Sequence, residues 1–252
     1  MVAIEDTSTA VESIPVLGHE EAMGLAQTEA NRMVDLLRQL TPDEWSLQTV
    51  CELWDIRAMA GHLLGMAEFQ ASRRQFAHDF ISAKRLGGSV IDGINATQVK
   101  ERSHLTPAQL VDALASAAPR AIRARRRTPA LMRNLVRMRQ DPPFQAERWQ
   151  YGYLVDTIFT RDSWIHRVDI SRATGRKMLL TPEHDGRIVA LIVAEWARRH
   201  GQPLELTLTG PAGGRFTQGA EGEWIELDAL DFCDTVSGRR PGAGLLSTRV
   251  PF

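Results

Sequence analysis

Apolar residues recur at helical spacing over the first two thirds of the chain and then shift to a period of two, which predicts a helical region followed by a smaller mixed one. After a loose leader of residues 1–17, the stripe Ala22, Ala26, Glu29, Met33, Leu36, Leu37 and Leu40 marks a first helix with a polar reverse side. Asp55 is placed to cap a second helix, with Ile56, Met59, Ala60, Leu63 and Leu64 inward and His62 about two turns in, near the same face. Gly87-Gly88 interrupts the pattern, and a shorter helix is expected from Ser89 to about Arg102. Thr106-Pro107 opens the next, with Thr as cap and Pro at the first helical position, and Leu110, Ala113, Leu114 and Ala117 share one face. Asp141-Pro142-Pro143 is a stop, because proline removes a helix donor and restricts the residue before it. A last long helix is expected from about Glu147 to Ala173, ended by Thr174-Gly175.

Beyond Gly175, Thr181-Pro182-Glu183 starts a helix that reaches about His200, where Gly201 ends it. Leu204, Leu206 and Leu208 then alternate with Glu205, Thr207 and Thr209, a strand followed by the turn Gly210 to Gly214. Trp224-Ile225-Glu226-Leu227 reads as a further strand, and Asp228 as the cap of a helix through Val236. The expected architecture is α+β: a helical bundle over residues 18–175 and a small α+β domain over residues 176–252. At 252 residues the chain can bury a sizeable core in either one large domain or two modest ones.

Composition narrows the partners. A net charge of −1 gives no global field to recruit nucleic acid or an anionic membrane. The run Arg120-Ala121-Ile122-Arg123-Ala124-Arg125-Arg126-Arg127 is a local exception, read as a solvated helix end, since cations favour a helix C-terminus. Cys51 and Cys233 lie far apart without a CxxC pair, which fits a reducing cytoplasm. The start of the chain is acidic where a signal peptide is basic, and no run of about 18 apolar residues follows, so a soluble cytoplasmic protein is expected.

The segment Arg161-Asp162-Ser163-Trp164-Ile165-His166 carries the most chemistry. Asp162 and His166 stand four apart on a helix, roughly 5–6 Å between Cβ atoms, close enough to grip one metal ion. His62 is the best candidate for a third ligand, and three protein ligands with an open fourth position describe a catalytic zinc site. The plainer alternative is a helix-surface hydrogen bond between Asp162 and His166, with His62 an ordinary core histidine. Asp169, one turn past His166, is either an acceptor for an imidazole N–H or a carboxylate bonded to arginine or backbone. Trp54 and Trp164 read as core. No GxSxG elbow is present and neither cysteine stands beside a candidate base in the sequence, so a nucleophile has to be brought in.

Trp45, Thr49, Cys51, Trp54 and His62-Leu63, followed far downstream by Arg161-Asp162-x-Trp164-x-His166-x-x-Asp169, resemble the mycothiol-dependent maleylpyruvate isomerase family of the DinB-like superfamily, over nearly the whole chain. The resemblance implies a DinB-like four-helix bundle with a sterol-carrier-like C-terminal domain. It also implies a divalent metal, usually zinc, on His62, Asp162 and His166, and a small thiol, mycothiol or similar, whose sulfur the metal activates. Asp162 stands where that family usually has Glu, one methylene longer, which puts metal affinity and identity in question.

The resulting expectation is a zinc-dependent thiol S-transferase acting on a small electrophile. A thiol-dependent cis–trans isomerase of the maleylpyruvate type is the alternative, with a metal-dependent hydrolase and a non-catalytic binding module as rivals of other classes. Arg239, in Ser237-Gly238-Arg239-Arg240, is a candidate to hold a substrate carboxylate through a bidentate pair, against the plain reading of an exposed arginine. The expected partners are small molecules, with no nucleic acid or membrane, and the chain is expected as a monomer or homodimer.

Overall fold

The computed structural model describes residues 8–252, which divide into two compact units: Gly18–Met178, and a second that joins the N-terminal residues to Leu179–Phe252. In chain order, a short strand β1 (Thr9–Ala10) precedes the helices α1 (His19–Arg38), α2 (Ile56–Ala71), α3 (Arg73–Leu86), α4 (Val90–Arg102), α5 (Pro107–Arg126) and α6 (Ala130–Leu135). A hairpin of β2 (Arg137–Arg139) and β3 (Arg148–Gln150) leads through one turn, α7 (Tyr151–Tyr153), and a π-helical turn Leu154–Ile158 into α8 (Phe159–Thr174).

In the first unit α1, α2, α5 and α8 form a four-helix bundle, and α3 and α4 pack on each other and on α2. The core runs through Met33 and Leu37 of α1, Met59, Leu63 and Leu64 of α2, Leu110 and Leu114 of α5, and Ile170 of α8. The caps set the entries. Asp55 accepts from the N–H of Ala58 at 2.7 Å, Thr106 from that of Gln109 at 3.3 Å, and Gly175, at φ 68°, closes α8 in the left-handed conformation. Ser72, with extended backbone, ends α2 and caps α3 through the N–H of Gln75. That break has no glycine or proline to announce it.

The second unit carries a π-helical turn Pro182–Gly186, then α9 (Arg187–His200), β4 (Leu204–Thr209), β5 (Gly214–Gln218), β6 (Glu223–Asp228) and α10 (Ala229–Ser237). Its sheet runs β1-β5-β4-β6, with β4 antiparallel to β5 and parallel to β6. Leu206 sits opposite both Phe216 and Ile225, so the inward residues of three strands meet on one face. Trp196 of α9 meets Phe232 of α10 edge to face at 5.2 Å. The class is α+β, a helical bundle with a small mixed-sheet unit.

Three sequence expectations change. Residues 1–7 of the expected leader lie outside the described residues, but Thr9–Ala10 pair in parallel with β5, a contact two residues long that leaves no pattern in sequence. Residues 148–150, expected to be helical, form β3, because Met138 and Trp149 pair across the hairpin with Arg137 opposite Gln150 and Arg139 opposite Arg148. The helix begins at Tyr151 instead. The strand β5 was not expected, since Gly214-Arg215-Phe216-Thr217-Gln218 carries a single strongly apolar residue.

Candidate metal centre

His62 is buried on the inward face of α2, and Asp162 and His166 occupy successive turns of α8, which packs against α2. Nε2 of His62 lies 3.6 Å from Oδ2 of Asp162, and Nε2 of His166 lies 3.4 Å from Oδ1 of the same carboxylate. The two rings meet edge to face at 5.3 Å. These nitrogen–oxygen separations exceed those of a good hydrogen bond. They match instead the edge of a tetrahedron, since ligands about 2.0–2.1 Å from one ion lie about 3.4 Å apart.

The far nitrogen of each ring is committed elsewhere. Nδ1 of His62 lies 3.0 Å from Oε1 of Gln98 on α4, and Nδ1 of His166 lies 3.0 Å from Oδ2 of Asp169. The amide of Gln98 is oriented by its own Nε2, which donates to Oδ2 of Asp79 at 3.3 Å, so Oε1 is the atom that faces the ring. Each Nδ1–H is thereby held by an oxygen acceptor, which aims both Nε2 atoms at Asp162. Imidazoles that ligate a metal are commonly oriented in this way, by an acceptor on the nitrogen that faces away from it.

Electrostatics agree. Burial alone would raise the Asp162 carboxyl, but the charge of His166 beside it, joined by His62, holds it well below the usual carboxylate range. Burial would lower His166, yet the carboxylates of Asp162 and Asp169 raise it to about 9. In the metal-free site His166 is thus an imidazolium paired with Asp162 at neutral pH, and a bound cation would take the place of its Nε2 proton. Asp162 remains 22 % exposed, so one side of the site is open.

Trp54 stacks on His62 at 4.8 Å and lies 6.0 Å from the ring of His166. It packs against the edge of the bundle core as well as over the histidines, whereas Trp164 is fully buried. The loop that delivers Trp54 also brings Cys51 to the site: its sulfur and the ligand-capable atoms of His166 and Asp169 lie within 4.8 Å of one another. The expectation that no cysteine stands beside a candidate base is thereby corrected. The separation of 115 positions between Cys51 and His166 hides that contact from any local reading.

The arginine-rich end of α5 also departs from expectation. Arg120, Arg123, Arg126 and Arg127 are exposed, but Arg125 is buried and continues the inward stripe of Leu114, Ala118 and Ala121 at helical spacing. That i, i+4 continuation is the signal that could have found it. Arg239 is carried by the second unit, half-buried after α10, its backbone N–H bonded to the carbonyl of Asp234 at 2.9 Å.

A helical bundle whose interior brings two histidines and a carboxylate together is one of the settings in which bundle proteins build metal sites. Residues 26–171, more than half of the chain, match the model of the mycothiol maleylpyruvate isomerase N-terminal domain, and the chain belongs to that family. The crystal structure of the mycothiol-dependent maleylpyruvate isomerase is similar at a TM-score of 0.58, with 17 % identity over 92 % of both chains. A histidine-to-alanine mutant of that enzyme gives 0.56, with the same identity and coverage. At such identity the likeness establishes the fold. No curated protein matches the chain. Among the described residues no helix is long and apolar enough to cross a membrane.

Proposed function

We propose that this protein is a thiol-dependent isomerase of the maleylpyruvate type, in which His62, Asp162 and His166 hold a divalent cation, zinc by preference. The single observation that carries this reading is the convergence of the three side chains with both Nδ1 atoms engaged, in a chain of this family. The transferase reading, placed first on the sequence, draws no support from the comparisons; the isomerase reading does.

A bound divalent cation supplies positive charge that lowers the pKa of a thiol brought beside it. The chain does the rest. His62 and His166 keep their Nε2 atoms aimed at one point because Gln98 and Asp169 hold their Nδ1–H groups. Asp162 supplies the charge that makes the point attractive to a cation. Trp54 closes the site on the His62 side and excludes water from the ring. In the reaction the thiol sulfur forms a bond to one carbon of a cis double bond conjugated to a carbonyl, and the alkene π electrons move to the carbonyl oxygen. The resulting carbon–carbon single bond rotates, and expulsion of the same thiolate restores the double bond as trans, so no atom is gained or lost.

The test is turnover of maleylpyruvate by zinc-loaded protein with and without mycothiol. Turnover is expected only with the thiol, and it is expected to survive Cys51→Ala, since the nucleophile is the added sulfur. Turnover without thiol points to a hydrolase, and abolition by Cys51→Ala with zinc retained makes the protein thiol the nucleophile; either outcome contradicts the proposal.

A further inference from the structure

The bundle holds a second group that the three ligands do not explain. Arg125 is 6 % exposed, yet among the described residues its guanidinium forms no ion pair: Nε donates to the carbonyl of Val155 at 2.8 Å and Nη2 to Oγ1 of Thr160 at 2.8 Å, both neutral acceptors, and the group lies 5.7 Å from the ring of Phe159. The carboxylate whose charge it feels, Asp156, is engaged by Nδ1 of His19 at 2.6 Å and by Arg133 at 3.1 Å. Glu29, close by on α1, is clasped by Arg167 through two bonds of 2.8 and 2.9 Å. A buried cation normally carries a counter-ion, because desolvation is costly unless another charge offsets it. Burial does pull this guanidinium down, to about 10, and leaves it charged at neutral pH.

Arg125 and Asp162 line the same cavity, about 60 Å³, between α1, α2, α5 and α8. Its walls are largely apolar and carry small residues, Ala26, Ala30, Ala118 and Ala121 among them, which keep the space open. That volume holds a few water molecules or one carboxylate with the carbons next to it, not a large cosubstrate. Of the three candidate ligands Asp162 lines it, and so does an arginine without an anion. The π-helical turn Leu154–Ile158 joins the two, since it turns the Val155 carbonyl to Arg125 and runs directly into the helix of Asp162.

The geometry points to Arg125 as the subsite for a carboxylate of the electrophilic substrate, held in this cavity while the thiol binds beside Asp162. This assignment rests on the proposed thiol-dependent activity and adds the residue that would hold the substrate's carboxylate. The apolar walls strengthen the contact by excluding water, and the guanidinium fork offers paired N–H groups to a planar anion.

The experiment uses the zinc-loaded protein, mycothiol and maleylpyruvate, with Arg125→Gln and Arg125→Lys. In Arg125→Gln the KM for the electrophile is expected to rise about ten- to a hundredfold, the range for losing charge-assisted hydrogen bonds, while zinc content and the KM for the thiol stay put. Arg125→Lys, which keeps the charge and loses the fork, is expected to fall between. Succinate should bind the wild type by calorimetry and compete with the electrophile, and its neutral diamide should do neither. If the variants fold and hold zinc with an unchanged electrophile KM, Arg125 is a strut between α5 and α8 and the assignment fails. It fails equally if the thiol KM moves instead, which would give the carboxylate to the thiol. Should Arg125→Gln not fold, the lysine variant and succinate binding decide, and wild type that ignores succinate overturns the subsite. Wild type that binds succinate through Arg125 but shows no thiol-dependent turnover overturns the proposed activity and not the subsite.

Discussion

Nδ1 of His62 lies 3.0 Å from Oε1 of Gln98, and that one contact decides which nitrogen of the ring faces Asp162. Gln98 is fully buried on α4 and is itself oriented by Asp79, whose other oxygen takes a bond of 2.7 Å from Gln75. A line of amides and carboxylates thus runs from the α3–α4 layer to the candidate metal centre. Replacing Gln98 by Met keeps the volume and removes the acceptor. The expected outcome is a loss of zinc affinity of about tenfold or more, the usual size for such supporting partners, read by competition with a chelator. Gln98→Glu, which keeps an acceptor, should recover most of it.

Gly65 makes this arrangement possible. A Cβ built there would stand 2.5 Å from Cγ and 2.6 Å from Cβ of Gln98, so α2 and α4 approach too closely for any side chain. Gly65→Ala should therefore destabilise the fold by about 1–3 kcal/mol and weaken zinc binding in the same variant. Gly24→Ala is the control, because no atom lies within 4 Å of its added Cβ on α1. There the change should stabilise by about 0.5–1 kcal/mol, as expected for removing a glycine from a helix interior. Thermal melts and chelator titrations of the two variants separate packing from ligation.

The bundle was legible because its helices announce themselves. Asp55, Thr106 and Gly175 cap where the periodicity begins or ends, and the inward residues of α1 and α2 follow the expected stripes. Asp162 and His166 were legible together because they share one helix face, and His62 because it lies on an apolar one. What depends on distant pairing was not. Cys51 reaches His166 through a loop, Gln98 reaches His62 from another helix, and β1 joins its sheet across most of the chain. Arg125 was hidden by its neighbours, since a run of arginines reads as solvent-facing until the helical phase of each is followed.

In the metal-free protein, stability should follow the site's protonation. His166, raised to about 9, contributes stability that is complete below its unfolded value of about 6.5 and is lost as pH rises through 9. Asp162, held low, contributes stability present above about 3.8 and lost as pH falls below it. Chelator-treated protein should thus unfold more readily at pH 9.5 than at pH 6, by on the order of 3 kcal/mol for the histidine alone. In His166→Gln that alkaline loss should largely vanish. Denaturant melts at the two pH values measure it.

Zinc content of protein purified without added metal, measured for the wild type beside Asp162→Ala, Asp162→Glu and His166→Ala, tests the proposed ligand set most directly. Asp162 reaches both imidazoles from a 22 % exposed position, so its loss should leave two histidines without the charge that draws a cation to them. About one zinc per chain is expected in the wild type and in Asp162→Glu, which keeps a carboxylate on a longer arm. Little or none is expected in Asp162→Ala and His166→Ala, with helical content unchanged. Full zinc occupancy in Asp162→Ala would contradict the ligand set, and so would a wild type that takes up no zinc, nickel or cobalt even when these are supplied.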